Sequence, residues 1–559
     1  MESKPASSLI RFAPLWLALA GLLLFLPGNN LAPLIDRDEP RFAQATREMI
    51  QRGEWVVPYF NDEYRFDKPV LIYWMMRPCY ALFGANEFSA RLPSVLSAIL
   101  LGWLVFWMGR RWFTARTGFL AAFGLLTCLQ LVMHARSAVA DMPMVAMVVL
   151  AQWAAWELVH DDSPKYPWRW FWLFYGALGV GFLAKGPVTL VVPLLTFLIF
   201  RFAFWRKPVR WTRLKFGPGL VVTLAIMGSW GIPALLKTGG EFWTVGMKSH
   251  VYERGLHTFQ GHGAFFLYYV VISLVSLFPL IAFAGEGAVY LRRNWTEKNA
   301  FLMSWLAGTY ILFSFYVTKL PHYVMPAFPA FFLILAQAAE AEFPRPRWTR
   351  VFFRAVVLLL SIVAVIVFAG AFLIPFSPSY TSLRLAMVGF AAVVLALASL
   401  AVSWRTGRTR QIVLPLITVA LGTFLLGTGL RGATPAVQLQ PLFNKMPADA
   451  EFAFYRFKEP SVVFYSNRKV LGLSTIEEVA AFLAKPGPRL AVTQEREVKL
   501  EKYLKWAAEQ AIGRPQPLIT RDYTAELSAI DTNGLNTISL EGVNIARTAG
   551  ARLRVFWKM

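Results

Sequence analysis

The chain has 559 residues, of which 56% are hydrophobic and only 16% are charged, and its mean hydropathy is +0.47. Soluble domains carry about 25% charged residues, so the composition excludes an ordinary soluble protein and indicates an integral membrane protein. The net charge of +23 could suit nucleic acid, but most of the excess lies in short loops between apolar segments, as in cytoplasmic loops of membrane proteins. We therefore expect a lipid bilayer and no nucleic acid as partner.

Thirteen apolar segments reach or approach the length of about 20 residues that spans a bilayer. They lie near 9–27, 88–108, 117–133, 138–158, 168–184, 187–204, 216–236, 264–290, 299–317, 322–340, 351–376, 382–403 and 411–430. We interpret the first as an uncleaved helix, because no small-residue cleavage site follows it. The loops after the even-numbered segments are strongly basic, apart from a mixed loop after the fourth. This alternation predicts that the N-terminus is inside and the C-terminus outside.

The segment 36–69 is a polar island between apolar stretches. Its first nineteen positions hold five acidic residues, Asp36, Asp38, Glu39, Glu48 and Glu54. Each charge within lipid costs roughly 3 kcal/mol, so the island must lie outside the membrane. It belongs to a first outer loop, 28–87, for which we predict interfacial helices, including the short apolar segment 70–83.

We predict a transmembrane domain over 1–430 and an outer α/β domain over 431–559. A second large outer loop, 237–263, carries three of the six histidines. In the α/β domain we predict strands over 451–457, 461–467, 489–494 and 551–559, and helices over 475–487 and 496–510. The two cysteines, Cys79 and Cys128, do not indicate a disulfide framework.

Three carboxylates are candidate catalytic groups. Asp38 and Glu39 open an amphipathic stretch and could simply cap a helix, but the charge gathered there, including Arg41, exceeds what a cap requires. Asp141 begins the fourth apolar segment, where the helix dipole alone would favour an acid. For Asp141 the structural explanation is at least as good as the functional one.

Four cations lie on the predicted outer face, and two of them, Lys68 and Arg254, are candidate phosphate ligands from the residues alone. Lys68 stands in Phe-Asp-Lys-Pro and could instead extend towards lipid headgroups. Arg254, in the second large loop, offers a guanidinium suited to bidentate recognition. Lys185 lies between the fifth and sixth segments, and Lys319 precedes the tenth. Histidines 250, 257 and 262 do not have the spacing of a strong metal motif.

The distribution of these groups favours a catalyst at the membrane surface over a transporter. Ion-coupled transporters place charges near the bilayer midplane within broken helices, whereas here the predicted helix centres are nearly free of ionisable residues. An enzyme that acts on lipid-borne anions at the outer surface fits better.

Several motifs in order resemble those of the 4-amino-4-deoxy-L-arabinose lipid A transferases, bacterial relatives of the protein O-mannosyltransferases in the GT-C superfamily. These motifs are D-E-P-R-F-A (38–43), R-E-M (47–49), G-E-W-V-V-P (53–58), F-D-K-P (66–69), F-G-A-N (83–86), K-G (185–186), H-x-x-x-R (250–254) and K-L-P-x-Y (319–323). Asp67 is a departure, since the family would be expected to carry glutamate there.

The resemblance implies a monomeric GT-C enzyme of the bacterial inner membrane with a periplasmic active site. It would transfer aminoarabinose from undecaprenyl phosphate to lipid A phosphates and so confer polymyxin resistance. Asp38, Glu39 and Asp141 would serve catalysis, and Lys68, Arg254, Lys185 and Tyr323 would bind the donor phosphate. Further candidates are Asp67, Arg41, His250 and Lys319. No cofactor is required, and the question whether a divalent cation binds to Asp67 and His250 stays open.

Two alternatives remain from the sequence. Another polyprenyl-phosphate-sugar transferase, with a different sugar or a protein acceptor, would use the same carboxylate and cations. A membrane transporter would share the helix count, but we find neither midplane charges nor internal repeats.

Overall fold

The computed structural model describes residues 11–36, 38–246, 265–373, 378–406, 413–511, 517–544, 547 and 549–559. Helices dominate as far as residue 445. They are α1 (Ala13–Phe25), α2 (Asp38–Gln51), α3 (Leu71–Phe83), α4 (Glu87–Trp112), α5 (Ala115–Thr127), α6 (Leu129–Ala135), α7 (Asp141–His160), α8 (Trp168–Lys185), α9 (Val188–Ile199), α10 (Phe216–Lys237), α11 (Tyr268–Ser276), α12 (Ala284–Arg293), α13 (Glu297–Phe315), α14 (Phe328–Glu340), α15 (Arg347–Leu373), α16 (Pro378–Arg405), α17 (Val413–Ala433), α18 (Pro435–Gln438) and α19 (Gln440–Lys445).

The chain is a multi-pass membrane protein. Among the described residues, seven helices are long and apolar enough to cross a bilayer, or up to nine if each of two bent pairs counts as one span. The bent pairs are α5 with α6, at 67°, and α11 with the 3₁₀ turn and α12 that follow it, at 114°. The other predicted spans coincide with shorter or less apolar helices, α1, α8, α9 and α13.

The first outer loop folds into a helix, a small hairpin and a second helix. Helix α2 buries Phe42, Ala45 and Met49 on one face, as its amphipathic pattern predicts. A two-stranded hairpin follows, with β1 (Tyr59–Phe60) paired to β2 (Glu63–Tyr64). The predicted short apolar segment forms α3, which ends where Gly84 adopts a positive φ of 75°.

The C-terminal part is an α/β unit built on a six-stranded sheet. Its elements are β3 (Glu451–Tyr455), α20 (Pro460–Ser466), β4 (Val470–Leu473), α21 (Ile476–Ala484), β5 (Arg489–Lys499), α22 (Leu500–Ala511), β6 (Arg521–Asp522), α23 (Thr524–Leu527), β7 (Asn536–Asn544) and β8 (Ala549–Lys558). The strand order is β4-β3-β5-β8-β7, with β6 paired to β5. Strand β3 is parallel to β4 and β5, while β8 is antiparallel to β5 and β7.

Two predictions in this unit need correction. The predicted strand 461–467 is helix α20, and the predicted helix over 496–510 begins only at Leu500 because β5 continues to Lys499. Parallel strands β3 and β4 require a crossover connection, usually a helix, and Pro460 at the first helical position favours that helix. Short apolar runs do not distinguish a strand from a fully buried helix, and every residue of α20 is buried.

The α/β unit and the first outer loop share one hydrophobic core. Phe42 and Tyr73 of the loop belong to the same cluster as Phe452 and Val555 of the sheet. Polar contacts reinforce this packing: the Asn61 side chain accepts from the Val470 amide at 2.8 Å and donates to its carbonyl at 2.9 Å. The α/β unit therefore holds α2 in place above the helix ends.

Candidate functional site

Three carboxylates at the start of α2 have three different environments, and Asp36 belongs to the interface with the α/β unit. Its carboxylate accepts hydrogen bonds from the Ser461 amide, at 2.8 Å, and from the Ser461 hydroxyl, at 2.6 Å. Burial, together with the nearby negative charge of Glu459, raises the pKa of Asp36 to about 7. Asp36 is thus a contact between the loop and the α/β unit.

Glu39 is buried in a network that occupies both of its carboxylate oxygens. Arg91 of α4 binds it in a bidentate manner, with Nε to Oε1 and Nη2 to Oε2 both at 2.8 Å. The backbone amides of Ile35, at 2.8 Å, and Ala138, at 2.6 Å, donate to the same carboxylate.

The remaining donors of Arg91 are also used. They reach the carbonyl oxygens of Asn29, Ala32 and Pro33 at 2.6 to 2.8 Å. Glu39 therefore ties the loop to α4 and to the turn before α7, an arrangement that is better suited to a structural role than to contact with substrate. Its catalytic role stays a prediction from the sequence.

Asp38 is exposed and lies near a buried arginine that the sequence reading did not single out. The Asp38 charge acts on Arg65 and Tyr73. Arg65 pairs with Asp67, Nη1 to Oδ2 at 2.9 Å, and its Nε donates to the Tyr73 hydroxyl at 3.0 Å. Arg65 therefore links two predicted site carboxylates that are 29 positions apart in the chain.

A second carboxylate centre lies where several membrane helices end. Asp141, at the start of α7, pairs with Lys185 at the end of α8. The Nε2 atom of His322, in the 3₁₀ turn Pro321–Ala327 before α14, is 3.8 Å from Asp141 Oδ1. All three side chains are largely buried, and they come from three separate elements.

Two more side chains complete this centre, which we call the Asp141 cluster: Asp141, Lys185, His134, His322 and Tyr323. The rings of His134 and His322 are 4.9 Å apart, and Lys185 Nζ is 5.8 Å from the centre of the Tyr323 ring. His134 is held by Gln130 at 2.9 Å. Gln130 in turn accepts a hydrogen bond from Ser276 at 3.0 Å, which connects the cluster to α11.

Lys68 lies near both acidic centres. Its charge acts on His322 of the Asp141 cluster, while its neighbour Asp67 pairs with Arg65 beside Asp38. The described start of the second large loop lies alongside: the Phe242 ring packs edge-on against Phe66 at 5.7 Å. A Cβ atom at Gly246 would come within 2.9 Å of the Phe66 carbonyl oxygen. The backbone of the second large loop therefore passes close to the segment that holds Asp67 and Lys68.

Two of the other predicted site residues have interactions of their own, and two lie outside the described residues. Lys319 is buried and donates to the Tyr316 carbonyl, and Arg41 acts electrostatically on Asp36. Arg254 and His250 lie outside the described residues, which leaves their roles, and the metal suggested for Asp67 and His250, as predictions. Within the described parts of the chain, no group of three metal-binding side chains is found.

Sequence reasoning missed Arg65, His134 and His322 as site residues. His134 and His322 each stand at the end of an apolar segment on the predicted outer face, beside residues that were chosen. Ionisable residues at such positions are themselves a signal. Arg65 gave no comparable signal, because it is one of many charges in the island.

The combined site can bind an anion next to a carboxylate. Lys185 pairs with the buried acid Asp141, and Lys68 lies near enough to His322 of the same cluster for its charge to act there, in buried surroundings that strengthen electrostatic interactions. Such a cluster suits the phosphate of an amphipathic substrate entering from the bilayer.

Comparisons with known proteins show which chains this one resembles. A protein family described as dolichyl-phosphate-mannose-protein mannosyltransferase matches residues 67–230. The chain is 31% identical over 334 residues to an undecaprenyl phosphate-alpha-4-amino-4-deoxy-L-arabinose arabinosyl transferase of Erwinia tasmaniensis, covering 58% of this chain and 59% of that protein. A protein of the same name from an Enterobacter species is 30% identical, over 62% of this chain and 63% of its own length.

The resemblance predicted from the motifs is confirmed. The matched region of the chain nevertheless covers only about three fifths of the length of these curated relatives.

Solved structures extend the similarity to the whole fold. The crystal structure of ArnT from Cupriavidus metallidurans bound to undecaprenyl phosphate has a TM-score of 0.74, at 19% identity and 98% coverage of both chains. The apo structure has a TM-score of 0.72 at 21% identity, covering 90% of this chain and 95% of that chain. At such identities the likeness concerns the fold alone.

Proposed function

We propose that this protein is a glycosyltransferase that moves 4-amino-4-deoxy-L-arabinose from undecaprenyl phosphate to phosphate groups of lipid A. The observation that carries the proposal is the buried Asp141 cluster, in which Asp141 pairs with Lys185 from another helix and lies 3.8 Å from His322. The relatives named as aminoarabinose transferases support this choice of sugar and donor, and lipid A as acceptor follows from the motif resemblance.

The proposal includes a topology. Thirteen segments cross the bacterial inner membrane, and the first outer loop and the α/β unit, residues 431–559, lie on the periplasmic side. The basic loops after the even-numbered segments support this orientation. The protein acts as a monomer, and both substrates reach it through the periplasmic leaflet.

The mechanism is a single inverting displacement. A lipid A phosphate oxygen attacks the anomeric carbon while the bond to undecaprenyl phosphate breaks, through an oxocarbenium-like state. A phosphate monoester is largely ionised near neutral pH, since its second pKa is about 6, so a strong general base is not needed. Lys68 and Lys185 offset the negative charge that grows on the leaving phosphate. Asp38 orients the acceptor or contacts the sugar, with Arg65 fixing its surroundings.

The test is in vitro transfer with purified donor and lipid A, read by mass spectrometry, with and without chelator. We expect Lys68→Ala and Asp38→Ala to lose transfer at wild-type abundance. The matched control is Lys237→Ala, a half-exposed lysine on the same face that pairs with Glu54, which should keep it. Wild-type modification of lipid A by both site variants would rule out this site.

A second candidate is a polyprenyl-phosphate-sugar transferase with a protein acceptor, which the match to a protein mannosyltransferase family over 67–230 favours. Mass spectrometry of lipid A and of periplasmic glycoproteins from a deletion strain separates the two. Loss of glycans from proteins, with unchanged lipid A, would select the second candidate.

A further inference from the structure

A cavity of about 660 Å³ lies among the membrane helices, away from the Asp141 cluster. Its volume falls within the range of about 300–1,000 Å³ that is usual for ligand pockets. The walls are mostly apolar and come from α1, α5, α14, α16 and α17. They include Trp16, Leu23, Phe123, Phe332, Trp404 and Leu416.

The charged residues that line this cavity are at the opposite helix ends from the candidate site. Arg116, which lines it, is at the start of α5, whereas His134 of the Asp141 cluster is at the end of the same bent pair. Likewise α14 starts just after the turn that holds His322 and ends at Glu340, the partner of Arg116. The cavity therefore faces the other leaflet.

The rim of the cavity presents positive charge outward. Glu286 is buried between Arg405, with Nη1 to Oε1 at 3.0 Å, and Arg345, with Nε to Oε2 at 3.3 Å. Arg116 lies 3.6 Å from Glu340. The two carboxylates are enclosed, while the side chains of Arg345 and Arg116 are 42% and 67% exposed. Three guanidinium groups thus surround two shielded acids.

The apolar walls of the cavity offer no polar groups to hold water, so a hydrocarbon chain is their natural occupant, and the charged residues lie together at one end. Exposed arginines at the membrane surface attract anionic headgroups and bind phosphate oxygens. We propose that the cavity binds an acyl chain of an anionic phospholipid from the leaflet opposite the candidate site, with the phosphate on Arg116 and Arg345. This inference does not depend on the proposed sugar transfer.

The test measures lipid binding to the delipidated full-length protein in neutral detergent by native mass spectrometry. The probes are phosphatidylglycerol and phosphatidylcholine with identical acyl chains. We expect one tightly bound phosphatidylglycerol and at least about tenfold weaker binding of phosphatidylcholine, since each arginine near the surface contributes about fivefold. Equal affinity of the wild-type protein for the two lipids would overturn the proposal.

Two kinds of variant locate the site. Arg116→Gln and Arg345→Gln should each weaken phosphatidylglycerol binding about fivefold without changing phosphatidylcholine binding. The matched control is Arg293→Gln, an exposed arginine at the end of α12 that does not line the cavity, which should bind both lipids as the wild type does.

Filling the cavity should displace both lipids. Ala20 and Ala339 line it without being fully buried, so Ala20→Phe and Ala339→Phe can occupy the space with little strain elsewhere. Unchanged phosphatidylglycerol binding in a filled variant with wild-type Tm would overturn the proposal. If a filled variant unfolds, Arg116→Gln remains a test, because Arg116 is exposed. An unchanged preference for phosphatidylglycerol over phosphatidylcholine in Arg116→Gln would contradict the proposed phosphate site.

Discussion

Glu39 and Asp141 are both buried carboxylates in the first turn of a helix, and each pairs with a cation, yet their surroundings differ. Glu39 is bound by a bidentate arginine and by two backbone amides, and that arginine is itself bound to backbone carbonyls. Asp141 has side-chain partners, Lys185 and His322, which belong to separate elements. A charge enclosed by backbone groups suits a structural role, whereas a charge met by side chains from separate elements can exchange partners with a substrate.

The largest effect should follow from breaking the enclosed pair. Arg91→Met leaves Glu39 buried without its cation, which typically costs about 3–5 kcal/mol in the free energy of unfolding. We expect a markedly lower Tm and low abundance, measured by thermal unfolding in detergent. The double variant Arg91→Met/Glu39→Gln should recover part of the loss. An unchanged Tm in the single variant would show that the pair of Glu39 and Arg91 does not stabilise the fold, and the proposed difference from Asp141 would be wrong.

Breaking the Asp141 pair should affect activity more than folding. Asp141→Asn or Lys185→Met should lower the transfer rate about 10²- to 10³-fold, the usual effect of losing one electrostatic group in an active site. The Tm should fall less than in Arg91→Met, because the other side chains of the cluster can pair with the charge that remains. The double variant should lose little more than either single variant, since the pair acts as a unit. Additive losses would contradict a shared role.

Asp36 is an intermediate case, with one backbone and one side-chain partner, both from Ser461. Its pKa rises from an ordinary 3.8 to about 7 in the folded protein, so the folded state binds more protons than the unfolded state between these pH values. Stability should therefore fall as pH rises from about 4 to 7, by at most about 1.4 kcal/mol per pH unit.

Asp36→Asn removes this titration. The Tm of the variant, followed from pH 4 to 8, should lack the decline that the wild type shows in that window. Ser461→Ala offers a comparison, because it removes one hydrogen bond and leaves the carboxyl group in place. Parallel profiles for the wild type and Asp36→Asn would exclude Asp36 as the titrating group.

The smallest effect is expected at the pair of Lys237 and Glu54, 2.9 Å apart, in which the Lys237 side chain is half-exposed. Surface ion pairs contribute about 0–1 kcal/mol, so Lys237→Met should leave both Tm and transfer close to the wild type. A large loss of Tm or of transfer in this variant would mean that charged groups near the first outer loop are important whether or not they are buried. The distinction between the Glu39 and Asp141 centres would then be weaker.

Much of the site was accessible to sequence reasoning. Lys68, Lys185 and Tyr323 stand in the quoted motifs, whereas Asp141 was chosen because it begins an apolar segment. The structure places Asp141, Lys185 and Tyr323 in one cluster, with Lys68 nearby. The contribution of the α/β unit was not accessible, because its contacts with the first outer loop join residues more than 400 positions apart.

The sequence by itself determined the membrane class, the positions of the apolar segments and the ordered motifs, because hydropathy and charge are local properties of the chain. Only the tertiary structure decided what each acid at the start of α2 does. Successive helical residues point about 100° apart, so neighbouring side chains can meet unrelated partners. Glu39 therefore reaches Arg91, while the adjacent Asp38 faces Arg65, and Asp36, just before the helix, reaches Ser461.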